Sequence, residues 1–186
     1  MTSPQDAYAV LCGQISDETA SKLTACISTA TVKMQNIHLL FQSSGGSVGD
    51  GVFLYNLFKS LPMRLTIYNV GSVCSIAVVA YMGAARRLVS PRATFMIHQT
   101  TTKLAGAPGM IMKGVTKSLI IDDERAESIL SADITLADGE RWSNLDYYDF
   151  YFSGKEAVAI GLAHELGEFS PPAGTPVRSR DLGGFQ

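Results

Sequence analysis

Leu65-Thr66-Ile67-Tyr68-Asn69-Val70-Gly71-Ser72-Val73-Cys74-Ser75-Ile76-Ala77-Val78-Val79-Ala80-Tyr81-Met82-Gly83 changes periodicity partway through. Five of its first six residues are β-branched, aromatic or aliphatic, the types that pack well on a pleated surface. Gly71-Ser72 reads as a turn, and Ser75 to Met82 as an apolar helix closed by Gly83. The same order occurs one unit upstream. Ile37-His38-Leu39-Leu40-Phe41 is a short buried strand between Asn36 and the turn Ser43-Ser44-Gly45-Gly46. Val48, Val52, Leu54, Tyr55, Leu57, Phe58 and Leu61 then trace an amphipathic helix that stops before Pro62. Two strand–turn–helix units in tandem predict an α/β fold on a parallel sheet.

The flanking segments extend this pattern. Ala7 to Ile15 reads as a strand, followed by a helix that starts at the Ser16-Asp17-Glu18 cap and continues through Leu23, Ile27 and Met34. Leu88-Val89-Ser90 and Ala93 to Ile97, divided by Pro91, are short strands, and the second delivers His98 at its end. Such strand ends are where open α/β sheets hold ligands. Thr100 to Gly109 is rich in Thr and Gly, and Met110 to about Ser131 has the spacing of a long projecting helix. Ser153-Gly154-Lys155-Glu156 caps a last short helix, Ala157 to Ile160, ended by Gly161. Residues 1–168 read as one domain and residues 169–186, which include Ser170-Pro171-Pro172-Ala173-Gly174, as a flexible tail.

Composition narrows the function. The 186 residues carry a formal charge of −2, with 46% apolar and 17% charged side chains, which fits one globular domain. Neither nucleic acid nor an anionic membrane is expected as a partner, since both call for clustered Lys and Arg. The short clusters Arg86-Arg87 and Arg178 to Arg180 read as solvated surface. Arg86 and Arg87 also interrupt the apolar run from Val70 to Val89, which falls short of a membrane span. Cys12, Cys26 and Cys74 are odd in number and lack ligand spacing, so no disulfide framework, metal or other cofactor is expected. A reducing cytoplasm suits them, and the N-terminus lacks the basic flank and apolar core of a secretory signal.

Three features together point to nucleophilic catalysis. A serine hydroxyl needs a base to take its proton, and the tetrahedral intermediate needs fixed N–H donors. Ser75, at a helix start, is the candidate nucleophile, and His98 is the candidate base. The N–H groups of Gly46 and Ile76 are the candidate oxyanion donors, because glycine admits close backbone approach and a helix N-terminus favours negative charge.

These segments resemble the proteolytic subunit of Clp protease from about Val10 to Leu166. Gly13-Gln14-Ile15 resembles its early Gly-Gln-hydrophobic turn, and Ser43-Ser44-Gly45-Gly46-Ser47-Val48 its Ser-Pro-Gly-Gly segment. Gly71-Ser72-Val73-Cys74-Ser75 is similar to its Gly-Gln-Ala-Ala-Ser nucleophile motif, and Met96-Ile97-His98-Gln99 reproduces its Met-Ile-His-Gln motif. Glu156-Ala157-Val158 with Gly161-Leu162 resembles its late Glu-Ala-x-x-x-Gly-Leu signature.

The resemblance implies a spiral of repeated β-β-α units with a projecting handle helix, the ClpP/crotonase-like fold. It implies a serine endopeptidase acting on peptides or unfolded proteins inside a homo-oligomeric chamber, heptameric or double-ringed. In it, the Thr100 to Gly109 segment is a strand of the ring-to-ring handle. Asp146 is the nearest acid to the family's third triad position and the preferred candidate. Asp149 is the fallback, because the family spaces two aspartates Asp-x-x-x-Asp here and this chain has Asp146-x-x-Asp149. The family carries a longer segment before its first strand that engages an AAA+ unfoldase, whereas about six residues precede Ala7 here. Dependence on such an ATPase is therefore left open, with unaided cleavage of peptides or loosely folded substrates as the alternative.

Other readings are a crotonase-like CoA enzyme, a peptidase using Ser75 with Lys113 or Lys117 as base, and a non-catalytic assembly subunit. The Ser75 and His98 pair weighs against the first. A lysine base must be desolvated to titrate near neutrality, whereas histidine does so unperturbed, which favours His98 over the second.

Overall fold

The computed structural model of the chain describes residues 6–30, 35–103, 105–106, 108–137, 140, 142–146 and 148–179, excepting the side chains of residues 28–30, 143, 146 and 179. The elements run β1 (Asp6–Cys12), α1 (Asp17–Ala30), β2 (Asn36–Ser43), α2 (Val48–Ser60), β3 (Arg64–Cys74), α3 (Ile76–Met82), β4 (Arg86–Val89) and β5 (Thr94–Ile97). There follow α4 (Gly109–Leu130), a 3-10 turn (Trp142–Asp146), β6 (Phe150–Ser153), α5 (Gly154–Ala159), β7 (Glu165–Leu166) and β8 (Val177–Ser179).

One sheet holds the described strands in the order β6-β5-β3-β2-β1-β8, with β4 beside β3 and β7 beside β4. All pairings are parallel except β5 with β6. The expected mixed α/β fold with a projecting helix is what is observed. Of the segment 169–186, residues 177–179 pair with β1 as β8, and residues 180–186 lie outside the described residues. Met34, placed on the first helix by its spacing, also lies outside them.

Leu39, Phe41, Leu65, Ile67, Val73 and Phe95 fill the sheet side of the core. Against them lies α3, each of whose seven residues is buried. A helix apolar on every side belongs in a core, and here α2 and α4 cover the face that the sheet does not. Close packing of α2 on α3 depends on absent side chains. A Cβ on Gly51 would stand 2.3 Å from Ile76 Cγ1, and one on Gly83 would stand 2.7 Å from the Tyr55 carbonyl oxygen. Tyr81, in the last turn of α3, donates to the Leu88 carbonyl at 2.9 Å. Burial pushes its phenol pKa far upward, so it remains a neutral donor.

Three local expectations need correction. Gly71-Ser72 is not a turn, because β3 continues through both to Cys74. Between the register pairs Phe41↔Asn69 and Ser43↔Val73 the strand carries two residues more than β2, which makes a bulge. There β3 changes partner, from β4 at Thr66 to Asn69 to β5 at Ser72 to Cys74. Asn69 accepts from the Gly71 N–H at 3.1 Å and donates to the Thr94 carbonyl at 2.9 Å, bridging the divergence. A Cβ on Gly71 would meet the end of the exposed Gln42 side chain, Oε1 at 2.7 Å, so a larger residue at the bulge would have to displace it.

Second, Arg87 is not solvated surface. Its side chain is 4% exposed, pairs with Asp133 at 3.1 Å, and donates to the carbonyls of Leu162 at 2.9 Å and Gly161 at 3.2 Å. Burial of a guanidinium is sustained only by such a full set of acceptors. Arg86 does lie at the surface, paired with Glu165. Third, the described residues between Thr100 and Gly109 form no strand, since no neighbouring segment pairs with them.

Candidate active site

The β3–α3 junction presents Ser75 in a conformation that ordinary side chains avoid. Its φ of 56° and ψ of −134° make it the only positive-φ non-glycine residue among those described. That region is the one glycine takes at the first central position of II′ turns. The strand is held on both sides of the reversal. Ser75 N–H donates to the Met96 carbonyl on β5 at 2.7 Å, and the Val78 N–H donates to the Ser75 carbonyl at 3.0 Å. Strain of this kind persists only where surrounding bonds over-determine it, and it clusters at functional sites.

The Gly45-Gly46 turn follows β2 and packs against that serine. A Cβ on Gly45, at φ 95°, would lie 2.7 Å from Ser75 Cβ and 3.2 Å from its Oγ. A Cβ on Gly46, at φ 153°, would fall 2.1 Å from the Ile15 carbonyl oxygen. The Gly13-Gln14-Ile15 segment thereby acquires a physical role. Ile15 N–H donates to the Gly45 carbonyl at 2.9 Å, and Ser47 N–H donates to the Ile15 carbonyl at 2.9 Å, which clamps the turn from below. The N–H groups of Gly46 and Ile76 are left with no acceptor among the described residues. Ser47 caps α2 by accepting from the Asp50 N–H at 3.4 Å.

His98 directly follows β5 and is half-buried. It shares one cleft of about 240 Å³ with Ser75, Gly46 and Ile76, so four of the candidate residues come together. The antiparallel ladder of β5 and β6 ends on the pair Ile97↔Phe150, with His98 next after Ile97 and Asp149 next before Phe150 in the chain. Asp149 accepts a long hydrogen bond from the Tyr151 hydroxyl at 3.5 Å. Asp146 ends the 3-10 turn three residues earlier, and its side chain lies outside the described part. Among the described residues, no hydrogen bond joins Ser75 to His98 and no carboxylate lies within ion-pair distance of His98. Catalytic hydrogen bonds are often long in ligand-free enzymes and tighten with substrate.

Sequence reasoning passed over Asp123. It lies on α4, lines the same cleft, and accepts from the Thr100 N–H at 2.7 Å, pinning the chain two residues beyond His98. A contact between residues 23 apart leaves no mark in local spacing. Lys113 and Lys117 are exposed on α4 and do not line the cleft. No group of three or more His, Cys, Asp or Glu among the described residues is arranged to hold a metal ion. No described helix is long and apolar enough to cross a membrane.

The sequence and the fold that carry this site have counterparts in known proteins. A family model described as Clp protease matches residues 5–169. The chain belongs to the Clp protease family. Among its Clp relatives, ATP-dependent Clp protease proteolytic subunit 2 of Corynebacterium glutamicum is 29% identical over 157 residues, covering 82% of this chain and 77% of that protein. ATP-dependent Clp protease proteolytic subunit 3 of Rhizobium johnstonii is 25% identical over 162 residues, covering 83% and 80%. A ClpP1 mutant structure from Listeria monocytogenes superposes with a TM-score of 0.72 at 21% identity, covering 88% of this chain and 91% of that one, and establishes the likeness of fold.

Proposed function

We propose that this Clp-family chain is a serine endopeptidase in which Ser75 attacks the peptide carbonyl and His98 takes its proton. His98 then returns that proton to the leaving amine, and water reverses the sequence to free the acyl product. The N–H groups of Gly46 and Ile76 receive the oxyanion, each worth about 2.7–4 kcal/mol of barrier. An aspartate orients the imidazole and stabilises the imidazolium. The β5–β6 register favours Asp149 for this role over Asp146. The observation that carries the reading is Ser75 itself, held at positive φ beside two unpaired N–H groups in the cleft that also holds His98.

Assembly into a chamber belongs to the same proposal. Met110, Ile111, Met112, Ile120 and Ile121 on α4 are each 43–81% exposed, a large apolar surface for a projecting helix. Such surface is what subunit contacts cover. The relatives' names tie them to ATP, and the substrates proposed here are peptides and unfolded proteins. The cytoplasm is the proposed location.

A fluorophosphonate probe with mass analysis tests the chemistry. Ser75 is expected to label, with Ser75→Ala silent and His98→Ala slowed by several orders of magnitude. Asp149→Asn is expected to cost about 10⁴ in peptide hydrolysis and Asp146→Asn little, by the scale of triad acids elsewhere. Absence of label at Ser75 in assembled protein defeats the proposal. That outcome supports a non-catalytic assembly subunit, a reading motivated by the missing Ser75–His98 hydrogen bond.

A further inference from the structure

Asp123 is, with His98, one of two ionisable side chains lining the catalytic cleft, and the mechanism above makes no use of it. Its position is set by the hydrogen bond its Oδ1 accepts from the Thr100 N–H at 2.7 Å. The other oxygen, Oδ2, has no hydrogen bond or ion pair among the described residues. The nearby Arg125 is directed to Asp122 instead, at 3.0 Å. The apolar part of the cleft's lining includes Val48, Val79, Ala126 and Leu130, with Asp123 on the same face of α4 as Ala126 and Leu130.

A cleft lined by apolar side chains and one fixed carboxylate is complementary to a long side chain with an aliphatic stem and a cationic head. Lys and Arg bury their methylenes along apolar surface and keep the charge at the tip, where it forms a charge-assisted hydrogen bond with a carboxylate. The carbonyl attacked by Ser75 belongs to the residue on the acyl side of the scissile bond. That residue's side chain branches one bond from the reacting carbon, in the cleft that Asp123 also lines. We propose that Asp123 makes the cleft selective for a basic residue, Arg or Lys, at that acyl-side position. The inference rests on the peptidase reading and adds its substrate class.

Peptidyl diphenyl phosphonates test it, because the serine oxygen bonds to their phosphorus with loss of phenol and they can be made to differ only in the acyl-side side chain. The full chain is treated with Arg, Leu and Glu versions, and the rate of labelling at Ser75 is read by mass. The Arg reagent is expected to react about 10- to 100-fold faster than the Leu reagent, the range of one hydrogen bond to a charged group, with Glu slowest. Asp123→Asn keeps an acceptor for the Thr100 N–H and removes the charge, so the Arg-to-Leu ratio is expected to fall to near one. An Arg rate at or below the Leu rate in the wild type overturns the proposal, as does an unmoved ratio in Asp123→Asn. A small fluorophosphonate without a side chain is the control. If it also fails at Ser75, the peptidase reading fails with the inference; if it labels and no basic preference appears, the inference fails alone.

Discussion

Replacing Ser75 with glycine is expected to stabilise the protein while abolishing its chemistry, and alanine is the reference that isolates the reason. At φ 56° and ψ −134°, Ser75 occupies backbone space in which a Cβ is crowded. A non-glycine residue held there costs about 1–3 kcal/mol. Ser75→Ala removes the hydroxyl and keeps that cost, whereas Ser75→Gly removes both. Against this, glycine loses more backbone freedom on folding, about 0.5–1 kcal/mol relative to alanine. The glycine variant should therefore exceed the alanine variant by roughly 0.5–2 kcal/mol, which for a chain of this size is about 1–8 °C in Tm. The assay is calorimetry and urea unfolding of both variants at one subunit concentration, since assembly couples to stability. If Ser75→Ala proves as stable as Ser75→Gly or more so, the backbone is not strained there and the account of the site loses its central support.

Gly46→Ala places a Cβ 2.1 Å from the Ile15 carbonyl oxygen, so the turn must move; a fall of at least about 2 kcal/mol in unfolding free energy is expected by urea titration, in the range of forced backbone strain, together with lost probe labelling. Arg87→Ala strands the Asp133 carboxylate and two carbonyls that the guanidinium satisfies; because Asp133 is 41% exposed and can be rehydrated, the expected loss is about 2–3 kcal/mol, and a loss under 0.5 kcal/mol would contradict the buried tether. His38 and His164 both have pKa values lowered from 6.5, chiefly by burial, so their neutral forms are favoured in the fold. The unfolded chain then binds more protons, and the stabilisation is fully present above pH 6.5 and is lost as pH falls through the depressed folded values. Urea midpoints should fall from pH 7.5 to 5.5, more shallowly in His38→Gln, and a midpoint rising on acidification would refute this.

Much of the architecture was legible because local chemistry and global position agree. The apolar run of α3 is buried throughout, and the Ser153 and Glu156 pair forms the capping box its spacing announces. What escaped reading depends on partners distant in sequence. Gly71 looks like a turn residue until β2 and Gln42 lie beside it. The pair Arg86-Arg87 looks uniform, yet adjacent residues on a strand face opposite ways, so one meets solvent and the other meets Gly161, Leu162 and Asp133. The resemblance favours Asp146, whereas Asp149, proposed instead, directly precedes Phe150, the strand partner of Ile97 next to His98. Neither the link of Asp123 to Thr100 nor its place in the cleft follows from the helical pattern of α4.

The bulge in β3 adds two residues, and two is the repeat of a strand. Leu65, Ile67, Asn69 and Val73 consequently all remain on the buried side, as if nothing had been inserted. The strand thus has a reading frame of its own. Losing either Gly71 or Ser72 alone would invert every later side chain and turn Val73 outward, whereas losing both would keep the frame and merely shorten the reach to Ser75. Variation in chain length at this point is therefore confined to even steps, a constraint set by pleat geometry rather than by the chemistry of the serine it delivers.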